Sequence, residues 1–211
     1  MEILNQISEL LQKGNAPKVK ELVQESLENG VAPQEILNNG LLAGMNVIGD
    51  RFKRNEAYVP EVLIAARAMN IGMKVLEPAL MSEGVKSIGK VLIGTVKGDL
   101  HDIGKNLVIM MMKGAGLEVV DLGVDVPAEK FVERAVEENA DIVAMSALLT
   151  TTMGQMEEVI NEFERKGVKD KFKFMVGGAP INDNFAKQVG ADYYTPDAAT
   201  AAEVARSIVC A

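Results

Sequence analysis

The 211-residue sequence contains few residues of several types, and each shortage excludes a class of function. Its single cysteine, Cys210, cannot form an internal disulfide, so we expect a cytoplasmic protein. Tryptophan is absent and aromatic residues make up only 4% of the chain, which disfavours an electron carrier that sandwiches a flavin between aromatic rings. No apolar run is long enough to span a bilayer, and the first residues lack the pattern of a signal peptide.

Basic residues are also in short supply. The 22 lysines and arginines are outnumbered by 30 aspartates and glutamates, which gives a formal net charge of -8, and no basic cluster interrupts this balance. Nucleic acids and anionic membranes attract proteins with basic surfaces, so we expect neither as a partner. A transcription regulator with a DNA-reading domain is disfavoured for the same reason.

Residues 1–84 carry only helical patterns of apolar residues. Asn15, Pro33 and Pro60 mark the starts of the second, third and fourth helices. Amphipathic helices joined by short turns predict a four-helix bundle. We expect a linker at Met81–Gly89, which would allow the bundle to move relative to the rest of the chain.

Residues 85–211 alternate between strand and helix patterns, which predicts an α/β domain with a parallel sheet of flavodoxin-like, Rossmann-like type. The predicted strands are Lys90–Val96, Leu117–Leu122, Asp141–Ala147, Phe172–Val176 and Asp192–Thr195. Sheets of this kind bind ligands beyond the carboxyl ends of their strands, where the strand order reverses. The loops after the first and third strands are therefore the expected site.

The only histidine, His101, lies in the first of these loops. Asp99 stands two residues before it, where its carboxylate could accept a hydrogen bond from Nδ1 and leave Nε2 free for a metal. One imidazole cannot hold zinc, which needs at least three protein ligands. A metal at His101 would therefore arrive already coordinated by a macrocycle. A lone histidine of purely structural role is the alternative.

Two more loops at the same edge carry candidate residues. Ser146 begins a segment rich in hydroxyl groups that extends to Thr152, and Gly177 and Gly178 end the fourth strand without side chains. The glycines would allow a ligand to approach the backbone closely, but ordinary loop glycines would look the same. The hydroxyl groups could equally cap the next helix, and for Thr152 both interpretations stay open.

These motifs together resemble a known family. The ordered set Asp99-x-His101-x-x-Gly104, Ser146-x-Leu148 and Gly177-Gly178 resembles the cobalamin-binding signature of corrinoid proteins in methanol and methylamine methyltransferase systems, and of methionine synthase. The run from Gly44 to Phe52, followed by Tyr58-Val59-Pro60, resembles the helical cap domain of the same methyl-transferring branch. Cobalamin mutases share the signature but lack the cap. The resemblance covers nearly the whole chain.

The resemblance implies a cobamide bound in the base-off, His-on form, with His101 as the ligand to cobalt. Asp99 and Thr152 would complete a relay behind His101, and Phe52 and Val59 would cap the upper face of the cofactor. The implied cofactor contacts are Gly98, Asp99, Leu100, His101, Asp102, Gly104, Ser146, Leu148, Thr150, Gly177, Gly178 and Ala198, together with Phe52 and Val59.

The implied function is that of a methyl carrier, whose cobalt cycles between Co(I) and methyl-Co(III). A donor methyltransferase would supply the methyl group, and an acceptor methyltransferase would pass it to tetrahydrofolate or a thiol, with a reductive activation protein as a further partner. The chain would be a carrier subunit and not a complete catalyst. The alternative is a flavodoxin-like binding or signalling domain without cobalamin, although Ser146 stands where a response-regulator receiver needs a phosphorylatable aspartate.

Overall fold

The computed structural model describes residues 2–82 and 87–210. The chain separates into two compact units, one of Met1–Ser87 with Gly114–Gly116, and one of Ile88–Lys113 with Leu117–Ala211. The predicted boundary between residues 84 and 85 lies outside the described residues, as do residues 83–86 of the predicted linker. None of the described helices is long and apolar enough to cross a membrane.

The first unit is helical, as the sequence predicts. Its elements are α1 (Glu2–Gln12), α2 (Ala16–Glu28), α3 (Pro33–Glu35), a π-helical stretch (Ile36–Leu42), α4 (Ala43–Lys53) and α5 (Val59–Ser82). The side chain of Asn15 caps α2 by accepting a hydrogen bond from the backbone N–H of Lys18 at 3.3 Å. Ile7, Leu11, Ile48 and Leu76 are fully buried in the bundle core.

The third predicted helix differs from a regular α-helix in its middle. Residues 33–53 are helical without a break, but Ile36–Leu42 form the wider turns of a π-helix. This stretch buries Ile36, Leu37, Leu41 and Leu42. An α-helical period cannot place such closely spaced apolar residues on one face as fully as the wider π-turn can. A pattern of one constant period therefore does not predict this change.

The second unit is an α/β domain with a five-stranded, all-parallel sheet in the order β2-β1-β3-β4-β5. The strands are β1 (Lys90–Thr95), β2 (Glu118–Asp121), β3 (Ile142–Ser146), β4 (Lys173–Gly177) and β5 (Tyr193–Tyr194). The helices are α6 (Ile103–Gly114), α7 (Ala128–Glu137), α8 (Gly154–Arg165), α9 (Asp183–Val189) and α10 (Ala198–Val209), with a 3₁₀ turn at Lys169–Lys171. This is the flavodoxin-like order, so the predicted fold is confirmed.

The packed core of the α/β unit fixes the positions of the strand ends from which the loops begin. The central strands β1 and β3 are buried on both faces because helices cover both sides of a parallel sheet. Phe163 and Phe174 are fully buried and pack edge to face, with ring centroids 5.0 Å apart. Loops that leave the carboxyl ends of these strands therefore start from fixed positions.

Candidate functional site

Three strand ends lie side by side at the carboxyl edge of the sheet. Thr95 pairs with Ser146 in the register of β1 and β3, and Ser146 pairs with Gly177 in the register of β3 and β4. The loops that follow these residues carry His101, the hydroxyl-rich segment and the double glycine. The strand order reverses between β1 and β3, so this edge is where an open parallel sheet binds its ligand.

A buried carboxylate joins two of these loops. Asp99 is fully buried. Its Oδ1 accepts a hydrogen bond from the backbone N–H of His101 at 3.1 Å, and it lies 2.7 Å from the ring Nδ1 of the same residue. Its Oδ2 accepts from the backbone N–H groups of Leu148 at 2.8 Å and Leu149 at 3.2 Å, and from the hydroxyl of Thr152 at 2.8 Å. Asp99 thus fixes the His101 loop to the loop after β3.

The same contacts set the charge of Asp99. Burial by itself raises the pKa of this carboxyl, but hydrogen bonds from the N–H groups of Leu148 and His101, and from the side chains of His101 and Thr152, outweigh it. The pKa of Asp99 is therefore held well below its usual range. An ionised Asp99 can only accept hydrogen bonds, so Nδ1 of His101 must carry the proton.

This arrangement leaves the other ring nitrogen of His101 available. Its side chain is 50% exposed while that of Asp99 is inaccessible to solvent. Nε2 has no hydrogen-bond partner among the described residues, and in the neutral tautomer with its proton on Nδ1 it carries a free lone pair. The described residues contain no group of three or more His, Cys, Asp or Glu that could hold a metal ion. His101 can therefore serve only as a single ligand to a metal that something else coordinates.

Thr152 contributes its hydroxyl to this group and does not cap a helix. The hydroxyl lies 2.8 Å from Oδ2 of Asp99 and 2.9 Å from the carbonyl oxygen of Leu149. The N-cap position of α8 is Met153, which makes no side-chain capping bond. The capping interpretation of Thr152 is therefore wrong.

The glycines at the site have different physical reasons. Gly178 has a φ of +136°, and a Cβ there would collide with the carbonyl oxygen of Ala147, so the fold itself requires glycine. Gly104, in the first turn of α6, has an ordinary φ and no atom within 4 Å of where a Cβ would stand. Neither backbone strain nor packing explains a glycine at position 104. The open space beside His101 fits a bulky ligand.

Large apolar side chains face solvent in the His101 loop and in the loop after β3 that Asp99 joins to it. Leu100 is 71% exposed, Ile103 82%, Leu148 45% and Leu149 40%. We call these four residues the apolar rim. Exposed apolar groups gathered at one place mark a binding surface for another molecule or group. Together with the free Nε2, they suit a ligand that combines a metal with a broad apolar face.

The other predicted contacts are placed as follows. Gly98 and Asp102 lie on either side of Asp99 and His101 in the His101 loop. Ser146 is half-buried at the end of β3, Thr150 is exposed in the next loop, Gly177 ends β4, and Ala198 is the buried first residue of α10. Phe52 is half-buried in the last turn of α4, and Val59, at the start of α5, is 38% exposed. These last two belong to the helical unit.

Sequence reasoning missed several residues that support the site. The hydroxyl of Thr95 donates to the carbonyl oxygen of His101 at 2.9 Å, and Asp125 accepts a hydrogen bond from the N–H of Gly98 at 2.7 Å. Lys105 is buried and paired with Asp121. A usable signal existed for the two aspartates, because both follow or end β2 at the same edge as His101.

Comparison with known proteins identifies the family. Two models described as a B12 binding domain match residues 3–77 and residues 89–205. The chain belongs to the family of B12-binding corrinoid proteins. The resemblance read from the sequence is thereby confirmed.

Its relatives cover almost the whole chain. Dimethylamine corrinoid protein 1 of Methanosarcina mazei is 42% identical over 210 residues, covering 99% of this chain and 96% of that protein. The trimethylamine corrinoid protein of Methanosarcina barkeri is 42% identical over 195 residues, covering 92% of this chain and 90% of that protein.

Two solved structures are similar. One is the methanol:cobalamin methyltransferase complex MtaBC of Methanosarcina barkeri, at 31% identity and a TM-score of 0.88, covering 99% of this chain and 80% of that one. The other is a cobalamin-binding protein of Desulfitobacterium hafniense, at 30% identity and a TM-score of 0.82, covering 97% of this chain and 98% of that one.

Proposed function

We propose that this corrinoid protein carries a methyl group on a bound cobamide, with His101 as the protein ligand to cobalt. The observation that supports this most directly is the Asp99–His101 pair, which turns a half-exposed imidazole into a lone-pair donor at Nε2. A cobamide would bring its own metal ligands, whereas the described residues contain no group of three or more His, Cys, Asp or Glu that could hold a metal ion by themselves. The open space at Gly104 and the apolar rim fit the size and character of such a ring.

When bound, a cobamide supplies a cobalt centre that can take up a methyl group and give it up again. The protein's own part is to hold the ligand. Asp99 keeps the proton on Nδ1 and fixes the ring orientation, and Thr152 supplies one of the hydrogen bonds that keep Asp99 ionised. In this proposal the relay stabilises a base-off, His-on cofactor, since a hydrogen-bonded imidazole is a better donor to the metal.

The remaining contacts predicted from the resemblance are part of the same proposal. Ser146, Leu148, Gly177 and Gly178 would contact the displaced nucleotide tail at the ends of β3 and β4. Gly98, Leu100, Asp102, Thr150 and Ala198 would add contacts from neighbouring loops, and the helical unit would cap the cofactor through Phe52 and Val59.

We infer that the partners are a donor methyltransferase, an acceptor methyltransferase and a reductive activation protein. The relatives with 42% identity are named for dimethylamine and trimethylamine, whereas the methanol complex is 31% identical. A methylated amine is therefore the donor class to test first.

The test is cofactor loading. The tag-free protein is incubated with hydroxocobalamin, passed through gel filtration, reduced and treated with methyl iodide, with a visible spectrum at each step. We expect a retained cofactor whose spectrum shifts on methylation. A His101→Gly variant should lose the histidine-bound spectrum, and added imidazole should restore it by filling the vacated place. Tag-free protein is essential because His101 is the only histidine.

Either of two results would overturn the proposal. A colourless protein after gel filtration would favour a flavodoxin-like binding or signalling domain without cobalamin. A spectrum that is the same in the wild type and in His101→Gly would remove His101 as the ligand.

A further inference from the structure

The loop between β2 and α7 holds the backbone on both sides of Asp99. Oδ1 of Asp125 accepts a hydrogen bond from the backbone N–H of Gly98 at 2.7 Å. The backbone N–H of Asp125 donates to the carbonyl oxygen of Asp99 at 3.0 Å. Asp125 therefore holds the Lys97–Gly98 peptide group through its side chain and the Asp99–Leu100 peptide group through its backbone.

The backbone conformation of Asp125 restricts which residue types can make these two hydrogen bonds. Its φ is +54°, in the left-handed region that residues other than Gly, Asn and Asp rarely adopt. Asn139 is also left-handed, with a φ of +50°, but it precedes β3 at the opposite edge of the sheet. Asn139 thus offers a matched position with the same backbone conformation and no contact with the His101 loop.

The end of β2 is bonded to the chain on the other side of His101. Lys105 lies in the first turn of α6, and its Nζ donates to Oδ1 of Asp121 at 2.7 Å. This oxygen also accepts the backbone N–H of Gly123 at 2.9 Å. The side chain of Lys105 is 1% exposed, so solvent screens the pair little on that side.

These contacts form a continuous series of hydrogen bonds that leads to His101. Asp125 fixes the backbone of Asp99, the carboxylate of Asp99 fixes the ring of His101, and the Lys105–Asp121 pair anchors the start of the following helix. Metal ligands depend on such supporting groups for their orientation. Among the described residues, no other side chain in the loop after β2 forms a hydrogen bond to Asp99 or Gly98.

We propose that Asp125 is a positioning residue for His101, acting through the backbone of Gly98 and Asp99. This inference rests on the proposed role of His101 as a cobalt ligand. Among the described residues, the hydrogen bonds of Asp125 to this loop go to the backbone of Gly98 and Asp99 and not to the imidazole.

The test compares three variants of the full-length chain. Asp125→Gly keeps the left-handed backbone without steric strain and removes the acceptor, whereas Asp125→Asn keeps both the backbone and an acceptor oxygen. Asn139→Gly makes the corresponding change at the opposite edge of the sheet.

The first measurement uses protein without cofactor. Hydrogen exchange of the Gly98 amide should be about 10- to 100-fold faster in Asp125→Gly, the factor that corresponds to losing a hydrogen bond to a charged acceptor. Asp125→Asn should recover most of the protection, and Asn139→Gly should match the wild type. Unchanged exchange in Asp125→Gly would overturn the inference.

The second measurement uses protein loaded with hydroxocobalamin. Histidine ligation should be about tenfold weaker in Asp125→Gly, the loss typical of a disturbed supporting group, and Asp125→Asn should restore it. Equal ligation in Asp125→Gly and the wild type would refute the positioning role and leave the carrier function intact. If the wild type binds no cobamide, the carrier function fails, while the Gly98 exchange still decides whether Asp125 holds the loop.

Discussion

Replacing Asp99 with asparagine should destabilise the protein and invert the tautomer of His101. Asparagine offers one acceptor oxygen where Asp99 has two. If this oxygen keeps the bonds to Leu148, Leu149 and Thr152, its NH₂ group faces Nδ1 and the backbone N–H of His101. The ring can then accept at Nδ1 only by moving its proton to Nε2, while one N–H loses its partner.

The magnitude follows from the contacts. The retained bonds change from charged to neutral, and an N–H that loses its protein partner costs roughly 1–3 kcal/mol. Relief of the carboxylate's desolvation offsets part of this loss. We expect Asp99→Asn to lower the free energy of unfolding by about 3 kcal/mol at pH 7, because the native state holds the pKa of Asp99 well below its usual range.

The loss depends on pH with a definite sign. The pKa of Asp99 is lowered in the folded state, so its stabilisation is complete above the unfolded value near 4 and is lost as the pH falls through the folded value. The difference between the wild type and Asp99→Asn should therefore narrow below about pH 4.

Urea unfolding of the cofactor-free protein measures this difference. Tyrosine fluorescence is suitable because Tyr193 and Tyr194, two of the 3 tyrosines, form β5 of the α/β unit. Asp170→Asn, an exposed position in the 3₁₀ turn, is the control and should change stability by less than about 0.5 kcal/mol. A loss equal to that of the control, or a loss that stays constant from pH 7 to pH 3, would refute the reasoning about Asp99.

Three other substitutions test separate parts of the site. Gly178→Ala should destabilise the α/β unit by about 2 kcal/mol or more in urea unfolding, because its Cβ meets the carbonyl oxygen of Ala147 at a positive φ; wild-type stability would contradict this. Thr152→Val should cost about 1–2 kcal/mol in the same assay, whereas Thr152→Ser should cost less, so equal losses would argue against the hydroxyl contact. Leu148→Asp places a charge in the apolar rim and should weaken cobamide retention on gel filtration without unfolding the protein. Val136→Asp, at a similarly exposed position on α7, is the control and should retain the cofactor fully.

The fold was predictable because its signals are long and local. The ends of α6 and α10 agree with the sequence prediction, since helical periodicity runs unbroken from Ile103 to Gly114 and from Ala198 to Val209. The shorter elements were less well bounded. The last strand covers only Tyr193–Tyr194, because β5 is an edge strand that pairs on one side. The π-helical turn at Ile36–Leu42 was not predicted, because a constant helical period of about 3.6 residues cannot indicate a local change to wider turns.

The site was predictable where residues lie close in the sequence. Asp99 and His101 are two residues apart, so their hydrogen bond could be anticipated from spacing. Thr152, Thr95 and Asp125 reach the same group only through the strand order, which brings distant loop residues to one edge. The left-handed backbone of Asp125 could not be predicted from the sequence either, because aspartate adopts that conformation only where its surroundings require it.

The most direct test of the account asks which atom binds cobalt. His101 is the only histidine, so protein grown with ¹⁵N-labelled histidine and loaded with unlabelled cobamide carries the label at a single residue. Electron paramagnetic resonance of the Co(II) form should show axial nitrogen splitting that changes from a triplet to a doublet on labelling. A splitting that stays a triplet, or is absent, would show that His101 is not the ligand and would contradict the central claim.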